Sequence, residues 1–307
     1  MKHYILGTDE AGYGPNLGPL VVSCVVWEMT VDETPCSQPF DDQLAELERR
    51  LGPIVTDTPS QLGKNGKVFL IGDSKKLYQT GKLHVLIDSV LIAIHLCGQK
   101  SENLSEILLP FDTNRHRLAA DQVKEALTSL GVILCDMNAS VISARDFNRQ
   151  LEILGNKSML LSNMTLELIK NAVQTLPDNG DVTILCDKHG GRNRYADLLY
   201  QFFPDCWIEI LTEGTPLSVY QLEMQGHKTE FRFQAKADRH IPAALASMTA
   251  KLLRELAMRE FNHFWQQYVP DLQPTAGYPV DALRFFGQID ETRQKLGIPK
   301  SVVWREK

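Results

Sequence analysis

The sequence has few of the features of zinc-binding, secreted or membrane proteins. Its six cysteines are scattered over 307 residues, and no two of them form a Cys-x-x-Cys pair. Three of them, Cys24, Cys135 and Cys186, lie in apolar runs typical of strands, which favours reduced core residues over disulfides or zinc ligands. No uninterrupted apolar run is long enough to span a bilayer. We therefore expect a cytoplasmic protein that does not bind a membrane.

The start of the sequence and its charge bear on targeting and on nucleic-acid binding. Residues 1–4 continue directly into the first apolar run, so we expect no signal peptide. A formal net charge of −6 argues against indiscriminate nucleic-acid binding, although a local basic groove stays possible because whole-chain charge is an average. Hydrophobic residues make up 43% of the chain, enough for a full core in one large domain or two modest ones.

The N-terminal stretch carries the pattern that most strongly indicates a functional site. The apolar residues 4–6 predict a strand, and Asp9 and Glu10 follow before a turn that contains Gly12 and Gly14. Neighbouring strand residues point to opposite faces, so both carboxylates can reach one ion only where the strand ends. Glycines without a Cβ let a ligand approach the backbone, and oxygen ligands suit Mg²⁺. The alternative is a solvated Asp-Glu pair in a polar turn.

The rest of the chain alternates between predicted strands and helices. Residues 28–67 are rich in proline and acidic residues and predict a surface insertion, in which only residues 41–51 have helical spacing. Residues 101–117 are loop-like. We predict strands at residues 20–27, 68–71, 132–135, 141–142, 182–186, 207–211 and 230–234, and helices at residues 79–97, 120–130, 144–176 with a break near Gly155, 194–203, 242–268 and 280–296.

Two further carboxylates lie at the ends of predicted elements. Asp187 follows the apolar strand at residues 182–186 and precedes Lys188, Arg192 and Arg194, a composition suited to a phosphate backbone. The alternative is a solvated loop before an ordinary helix. Asp238 precedes the long alanine-rich helix and could be only its N-cap.

Four motifs follow one another along the chain. The first is Thr8-Asp9-Glu10-Ala11-Gly12-Tyr13-Gly14-Pro15 with Gly18-Pro19-Leu20-Val21, and the second is Asp73-Ser74-Lys75-Lys76-Leu77. The third is Lys236-Ala237-Asp238 followed by Ala246-Ser247-Met248-Thr249-Ala250-Lys251 and Arg254-Glu255, and the fourth is Gly277-Tyr278. In this order, they resemble the motifs of the type 2 ribonuclease H family, also called ribonuclease HII, and they cover most of the chain apart from residues 28–67 and 98–119.

The resemblance implies an RNase H-like α/β fold, with a mixed five-stranded sheet flanked by helices and a helical C-terminal segment. It implies a catalytic domain at residues 1–268 and a substrate-binding segment at residues 269–307. It further implies a two-metal endonuclease that uses Mg²⁺ or Mn²⁺ to cut the RNA strand of RNA–DNA hybrids or of duplexes containing ribonucleotides. The implied catalytic metal ligands are Asp9, Glu10, Asp187 and Asp238, and the implied substrate-binding residues are Gly12, Tyr13, Gly14, Ser74, Lys75, Lys76, Ser247, Lys251 and Tyr278.

Some residues depart from the family pattern. Tyr13 stands where an arginine is usual, Glu255 where an aspartate is usual, and Pro279-Val280 where Gly-Thr is usual. The family's later His-Arg pair is absent. Two alternatives therefore stay open: a related nuclease for another structure such as a DNA junction, favoured by Tyr13, and a catalytically silent nucleic-acid-binding protein. Retention of all four carboxylates speaks against the silent binder, because anions facing phosphate weaken binding.

Overall fold

The computed structural model describes residues 1–31, 40–177 and 180–306, without the side chains of residues 40, 41, 99, 100, 102 and 103. Its strands are β1 (Lys2–Ala11), β2 (Leu20–Thr30), β3 (Val55–Thr56), β4 (Phe69–Leu70), β5 (Val132–Ile142), β6 (Asp181–Asp187), β7 (Glu209–Glu213), β8 (Leu217–Met224) and β9 (His227–Gln234). Its α-helices are α1 (Phe40–Leu51), α2 (Ser74–Cys97), α3 (Glu102–Leu108), α4 (Asn114–Ser129), α5 (Ala144–Leu154), α6 (Lys157–Gln174), α7 (Ala196–Phe202), α8 (Ile241–Gln266), α9 (Pro279–Lys295) and α10 (Lys300–Val303).

The main sheet is mixed and has the strand order β5-β2-β1-β6-β9-β8-β7. Strands β1, β6 and β9 are parallel, and the remaining pairs are antiparallel. The expected mixed sheet with flanking helices and a helical C-terminal region is confirmed, but the sheet has seven strands rather than five. The difference arises because the chain between β6 and β9 adds two antiparallel strands, β7 and β8, of which the sequence predicted only the first.

The two faces of the sheet are covered by different helices because side chains of β1 alternate. Ile5 packs on one face, in a core that includes the alanines of α8 and the apolar side of α2. Tyr4 and Leu6 pack on the other face, against α6 and α7. Both faces of these central strands are covered, so residues 3–8 of β1 and 182–186 of β6 are continuously buried.

Helix α8 lies directly on β1, because Gly7 has no side chain. A Cβ at Gly7 would lie 2.2 Å from the carbonyl carbon of Pro242, in the first turn of α8. Ala243, Ala246 and Ala250 are fully buried along the same helix, as expected for a slim helix that packs closely on a sheet. This contact places the start of α8 beside Gly7, two residues before Asp9.

The two predicted insertions are more structured than the sequence indicated. Leu44, Leu47 and Leu51 of α1 are buried in the main core, so α1 is not a purely surface element. Residues 32–39 of that stretch lie outside the described residues. The loop predicted at residues 101–117 is wrong, because α3 and the start of α4 occupy it, and Leu104 and Leu108 fill the core beside α2.

Helix α2 is, within the described ranges, the one helix long and apolar enough to cross a membrane by length and composition. Leu86, Val90 and Ile94 of this helix are buried in the main core. This is weak evidence for a membrane span, since a buried core helix passes the same test.

Candidate active site

A cavity of about 270 Å³ opens where β1 and β6 end. All four predicted metal-binding carboxylates line it, and so do most of the predicted substrate-binding residues. Lys76 is the exception: its ammonium lies 3.9 Å from Asp73, and its side chain is 82% exposed. The residues that line the cavity are Asp9, Glu10, Ala11, Gly12, Tyr13, Gly14, Pro15, Ser74, Lys75, Asp187, Asp238, Ser247, Lys251, Arg254 and Tyr278.

Strand register explains why the cavity opens at this point. Strand β1 continues through Asp9 and Glu10 to Ala11, so the prediction that the strand ends before the two carboxylates is wrong. Strand β6 pairs with β1 only as far as Cys186, opposite Thr8, and ends at Asp187. Beyond Thr8, β1 has lost its parallel neighbour in the described sheet. The predicted glycine turn follows the carboxylates, with Gly12 at a φ of 94°, and both carboxylates line the cavity.

Asp238 is brought to the cavity by a short 3₁₀ turn, Ala237–Arg239, that precedes α8. Lys236 begins this turn in a left-handed conformation, with φ of 59°. Asp187 Oδ1 accepts hydrogen bonds from the backbone N–H groups of Lys188 at 2.9 Å and Ala237 at 3.4 Å, which ties the turn to the end of β6. The N-cap of α8 is His240 rather than Asp238, so the capping alternative for Asp238 is wrong.

The carboxylates repel one another in a desolvated environment. Burial raises the pKa of Asp9 to about 7; the charges of Asp187 and Asp238 add to the rise, and a hydrogen bond from Ser247 opposes it. Burial and the charge of Asp9 raise the pKa of Glu10 well above its usual range. Burial also raises the pKa of Asp187. Burial is thus the main cause of the raised pKa values, and the charges of neighbouring carboxylates add to it.

The donor atoms of this cluster suit a divalent cation. Carboxylate oxygens are preferred ligands of Mg²⁺, and a bound cation would offset the repulsion that raises these pKa values. Within residues 1–31, 40–177 and 180–306, no group of three or more His, Cys, Asp or Glu side chains is arranged as a ready-made metal site. The chemistry of the donors thus fits the predicted Mg²⁺ or Mn²⁺, and the role of each carboxylate as a ligand stays a prediction.

A hydrogen-bonded pair of serines connects α2 to the acidic cluster. Ser74 Oγ, at the start of α2, lies 3.0 Å from Ser247 Oγ on α8, and Ser247 in turn hydrogen-bonds Asp9. The Asp73 carboxylate caps α2 by accepting from the N–H groups of Lys75 and Lys76. These contacts hold the first turn of α2, which carries Lys75, at the rim of the cavity.

Two cations at the cavity, Lys251 and Arg254, each contact other groups of the protein. Lys251 Nζ lies 2.5 Å from Glu255 Oε1 and 4.6 Å from the centre of the Tyr78 ring. Arg254 donates to the carbonyl oxygen of Ala276 at 2.8 Å, and its guanidinium lies 6.0 Å from the Tyr278 ring. The sequence did not predict the partnership of Tyr78 with Lys251, although both residues lie close to predicted motifs.

In the basic loop after β6, which carries Lys188, Arg192 and Arg194, some of the cations contact other groups of the protein. Lys188 Nζ donates to the carbonyl oxygen of Gly214 at 2.7 Å and contacts Ser218 Oγ at 2.8 Å. The predicted phosphate-binding role of this lysine is therefore not supported by its position. Arg194 is exposed and lies 3.7 Å from Glu213.

The glycine turn has one constrained and one open position. Gly12 has a φ of +94°, and a Cβ there would lie 2.5 Å from the carbonyl oxygen of Pro19. A Cβ on Gly14 would meet no atom within 4 Å, so a ligand can approach the backbone at that side. Between them, Tyr13 is half-buried against an apolar cluster that includes Phe147 and Leu160.

No protein-family model and no curated protein matches the chain. Three solved structures are similar to it over 99% of its length. They are ribonuclease HII of a PCNA complex from Archaeoglobus fulgidus (17% identity, TM-score 0.43, 94% of that chain), ribonuclease H2 from Pyrococcus horikoshii OT3 (17%, 0.44, 92%) and Bst-RNase HIII in complex with Mn²⁺ (14%, 0.42, 66%). Identities below 20% and TM-scores below 0.5 assign no activity to this chain. The chain is thus similar, at low identity, to ribonucleases HII and HIII, the group that its motifs resemble.

Proposed function

We propose that this protein is a metal-dependent endonuclease that hydrolyses the RNA strand of RNA–DNA hybrids. The observation that carries the proposal is the shared cavity, in which four carboxylates from β1, β6 and the turn before α8 meet Lys75, Lys251 and Arg254. Carboxylates can hold divalent metal ions, and basic side chains can hold phosphates. The combination suits phosphodiester hydrolysis. An ordinary surface cleft has no reason to gather four half-buried like charges.

In this proposal, the four carboxylates form two pairs that reach the cavity from different elements. Asp9 and Glu10 approach from β1, while Asp187 and Asp238 approach from the end of β6 and the adjacent turn, so any bound Mg²⁺ or Mn²⁺ would be held between the two pairs. Bound divalent cations supply a nucleophilic water and stabilise the leaving oxygen. Ser247 orients Asp9 through its hydrogen bond.

The substrate would lie along the other side of the cavity. Lys75, Lys251 and Arg254 neutralise backbone phosphates, whose contacts provide much of the affinity of nucleic-acid-binding proteins. The backbone around Gly14, where no protein atom crowds the Cα, contacts the sugar at the cut. RNA differs from DNA by the 2′-OH, which both donates and accepts hydrogen bonds, so backbone N–H and C=O groups can recognise it.

A cleavage assay on sequence-matched RNA–DNA, DNA–DNA and RNA–RNA duplexes, with Mg²⁺, Mn²⁺ or EDTA, tests the proposal. We expect cleavage of the RNA strand of the hybrid only, dependent on the divalent cation and lost in Asp9→Asn. Binding of the hybrid without cleavage under every condition would instead identify a catalytically silent binding protein.

A second candidate, a nuclease for DNA junctions, is favoured by one observation. Tyr13 occupies the middle of the glycine turn and places an aromatic ring, rather than a cation, at the cavity. A ring stacks on any base or sugar and so provides no preference for ribose. Including a four-way DNA junction in the same assay separates the two candidates, since preferential junction cleavage would reject the hybrid-specific enzyme.

A further inference from the structure

The C-terminal residues of the described chain are packed beneath the glycine turn. Trp304 forms an isolated antiparallel bridge with Leu17. The backbone N–H of Arg305 donates to Asn16 O at 2.8 Å, and Asn16 Nδ2 donates to Arg305 O at 3.2 Å. Asn148 of α5 secures the same segment by donating to Trp304 O at 2.8 Å. These contacts place the Arg305 side chain at the base of the turn.

The Arg305 guanidinium contacts both ends of the turn. Its Nη2 donates to the carbonyl oxygen of Gly12 at 2.6 Å and also to the carbonyl oxygen of Pro15. These two carbonyls flank Tyr13 and Gly14, so one planar group fixes the separation and direction of the backbone on each side of them. The Phe147 ring, 4.6 Å from the guanidinium carbon, supports it from beneath.

This arrangement is costly for stability alone. Arg305 is 1% exposed, and its Nε and Nη1 atoms have no hydrogen-bond partner within the described residues. Burial and the nearby charge of Arg254 lower the pKa of Arg305 to about 9, so the side chain is still charged at neutral pH. A buried charge without an acidic partner is generally less stabilising than an apolar side chain of similar volume. The carbonyl contacts therefore have a use other than stability.

We propose that Arg305 is a positioning residue, which holds the carbonyls of Gly12 and Pro15 so that the backbone of Tyr13 and Gly14 faces the scissile sugar-phosphate. The inference rests on the proposed function, because the turn matters only if it contacts substrate. Arg305 itself does not line the cavity. Its effect is exerted entirely through the two carbonyls.

The test compares Arg305→Met and Arg305→Lys with a matched control, Arg293→Met. Arg293 also donates to a main-chain carbonyl, that of Ile298 at 2.5 Å, but it lies on α9 and does not line the cavity. Steady-state cleavage of an RNA–DNA hybrid is measured well below each melting temperature, together with hydrogen exchange of the amides of residues 11–17.

We expect Arg305→Met to lower kcat by about 10- to 100-fold with a smaller change in KM, since a misplaced contact group of this kind has such an effect. Exchange in residues 11–17 should accelerate, and Arg305→Lys, which retains the charge without the planar fork, should recover part of both losses. Arg293→Met should change neither. If Arg305→Met does not fold, Arg305→Lys is compared with Arg293→Met instead.

The outcomes distinguish this inference from the proposed function. Equal kcat values and equal exchange rates for Arg305→Met and Arg293→Met would overturn the positioning role while leaving the nuclease intact. A wild-type protein that cleaves no nucleic acid would reject the nuclease and, with it, the catalytic use of the turn. Faster exchange alone would then leave Arg305 as a structural clamp, which also overturns the proposal.

Discussion

The Cα of Gly12 lies against the side chain of Arg254, so closely that a Cβ on Gly12 would be 2.7 Å from Arg254 Nε. The glycine turn after β1 and a buried cation of α8 therefore depend on each other, although the two residues belong to different motifs. This contact sets the distance between the carboxylates of β1 and one of the phosphate-binding candidates.

The two glycines of the turn should respond differently to alanine. Gly12→Ala introduces a Cβ that meets Pro19 O and Arg254, at a φ of +94°, so it should lower the free energy of unfolding by about 1–3 kcal/mol and abolish cleavage. Gly14→Ala is the matched control, since its Cβ would enter open space. We expect a change in stability of less than about 0.5 kcal/mol, measured by urea unfolding. Equal stability of the two variants would contradict the steric account.

Asp9→Asn should abolish cleavage without harming the fold. The substitution preserves the shape of the side chain but removes a desolvated charge from among three other carboxylates, so unfolding in EDTA should be unchanged or slightly less favourable. Affinity for the hybrid without divalent cations should rise, because repulsion of phosphate falls. Exposed Asp121 on α4 provides the control Asp121→Asn, which should leave all three properties unaltered. Hydrolysis at the wild-type rate by Asp9→Asn would place the chemistry elsewhere.

Tyr13→Arg should sharpen the preference for ribonucleotides. The Tyr13 hydroxyl lies close to Gly190, where a Cβ would be 2.6 Å from it, so the ring fills the space between the turn and the basic loop after β6. An arginine would restore the cation that is usual in the family whose motifs this sequence resembles. The measurement is the ratio of cleavage rates on a hybrid and on the matched DNA duplex, with Tyr13→Phe as control. An unchanged ratio for Tyr13→Arg would show that Tyr13 has not relaxed specificity.

Tyr278→Ala should weaken substrate binding more than it weakens the fold. Tyr278 is 55% exposed at the cavity, so more than half of its surface is available to a sugar or base. We expect a loss of about 1–3 kcal/mol in hybrid binding, as for base–aromatic stacking, and little change in melting temperature. Tyr268, 47% exposed and outside the cavity, supplies the control Tyr268→Ala. A large loss of stability with unchanged activity per folded molecule would favour an anchoring role.

Acid should destabilise the fold through His3. Burial lowers the pKa of His3 from 6.5 to about 4, and its Nε2 lies 2.8 Å from Thr183 Oγ1. The unfolded chain binds a proton below about pH 6.5 and the folded chain does not, so stability falls as the pH decreases from 6.5 to 4. The contribution should be about 3 kcal/mol. We expect the free energy of unfolding, measured in urea across this range, to depend less on pH in His3→Gln than in the wild type. The same pH dependence in both proteins would contradict a role for His3.

The sequence predicted those parts of the structure that depend on neighbouring residues. The strand at residues 182–186, the helix break near Gly155 and the alanine-rich helix beginning near Pro242 all appear, because periodicity and turn chemistry act over a few residues. The four candidate carboxylates were selected in the same way, because each follows an apolar strand or precedes a predicted helix. The sequence did not predict the strand β8 and the helix α3. Both are short, and whether such a short pattern forms a strand or a helix depends on the elements that pack against it.

By itself, the sequence identified four candidate carboxylates, Asp9, Glu10, Asp187 and Asp238, each beside a predicted strand or helix. The tertiary structure decided that these four share one cavity, through the register that ends β6 opposite Thr8 and the contact of Gly7 with α8. It also decided that Arg305, which follows Gly12 by 293 residues, holds the turn. Contacts across such separations depend on how sheets and helices pack, and local patterning in one sequence contains no record of that packing.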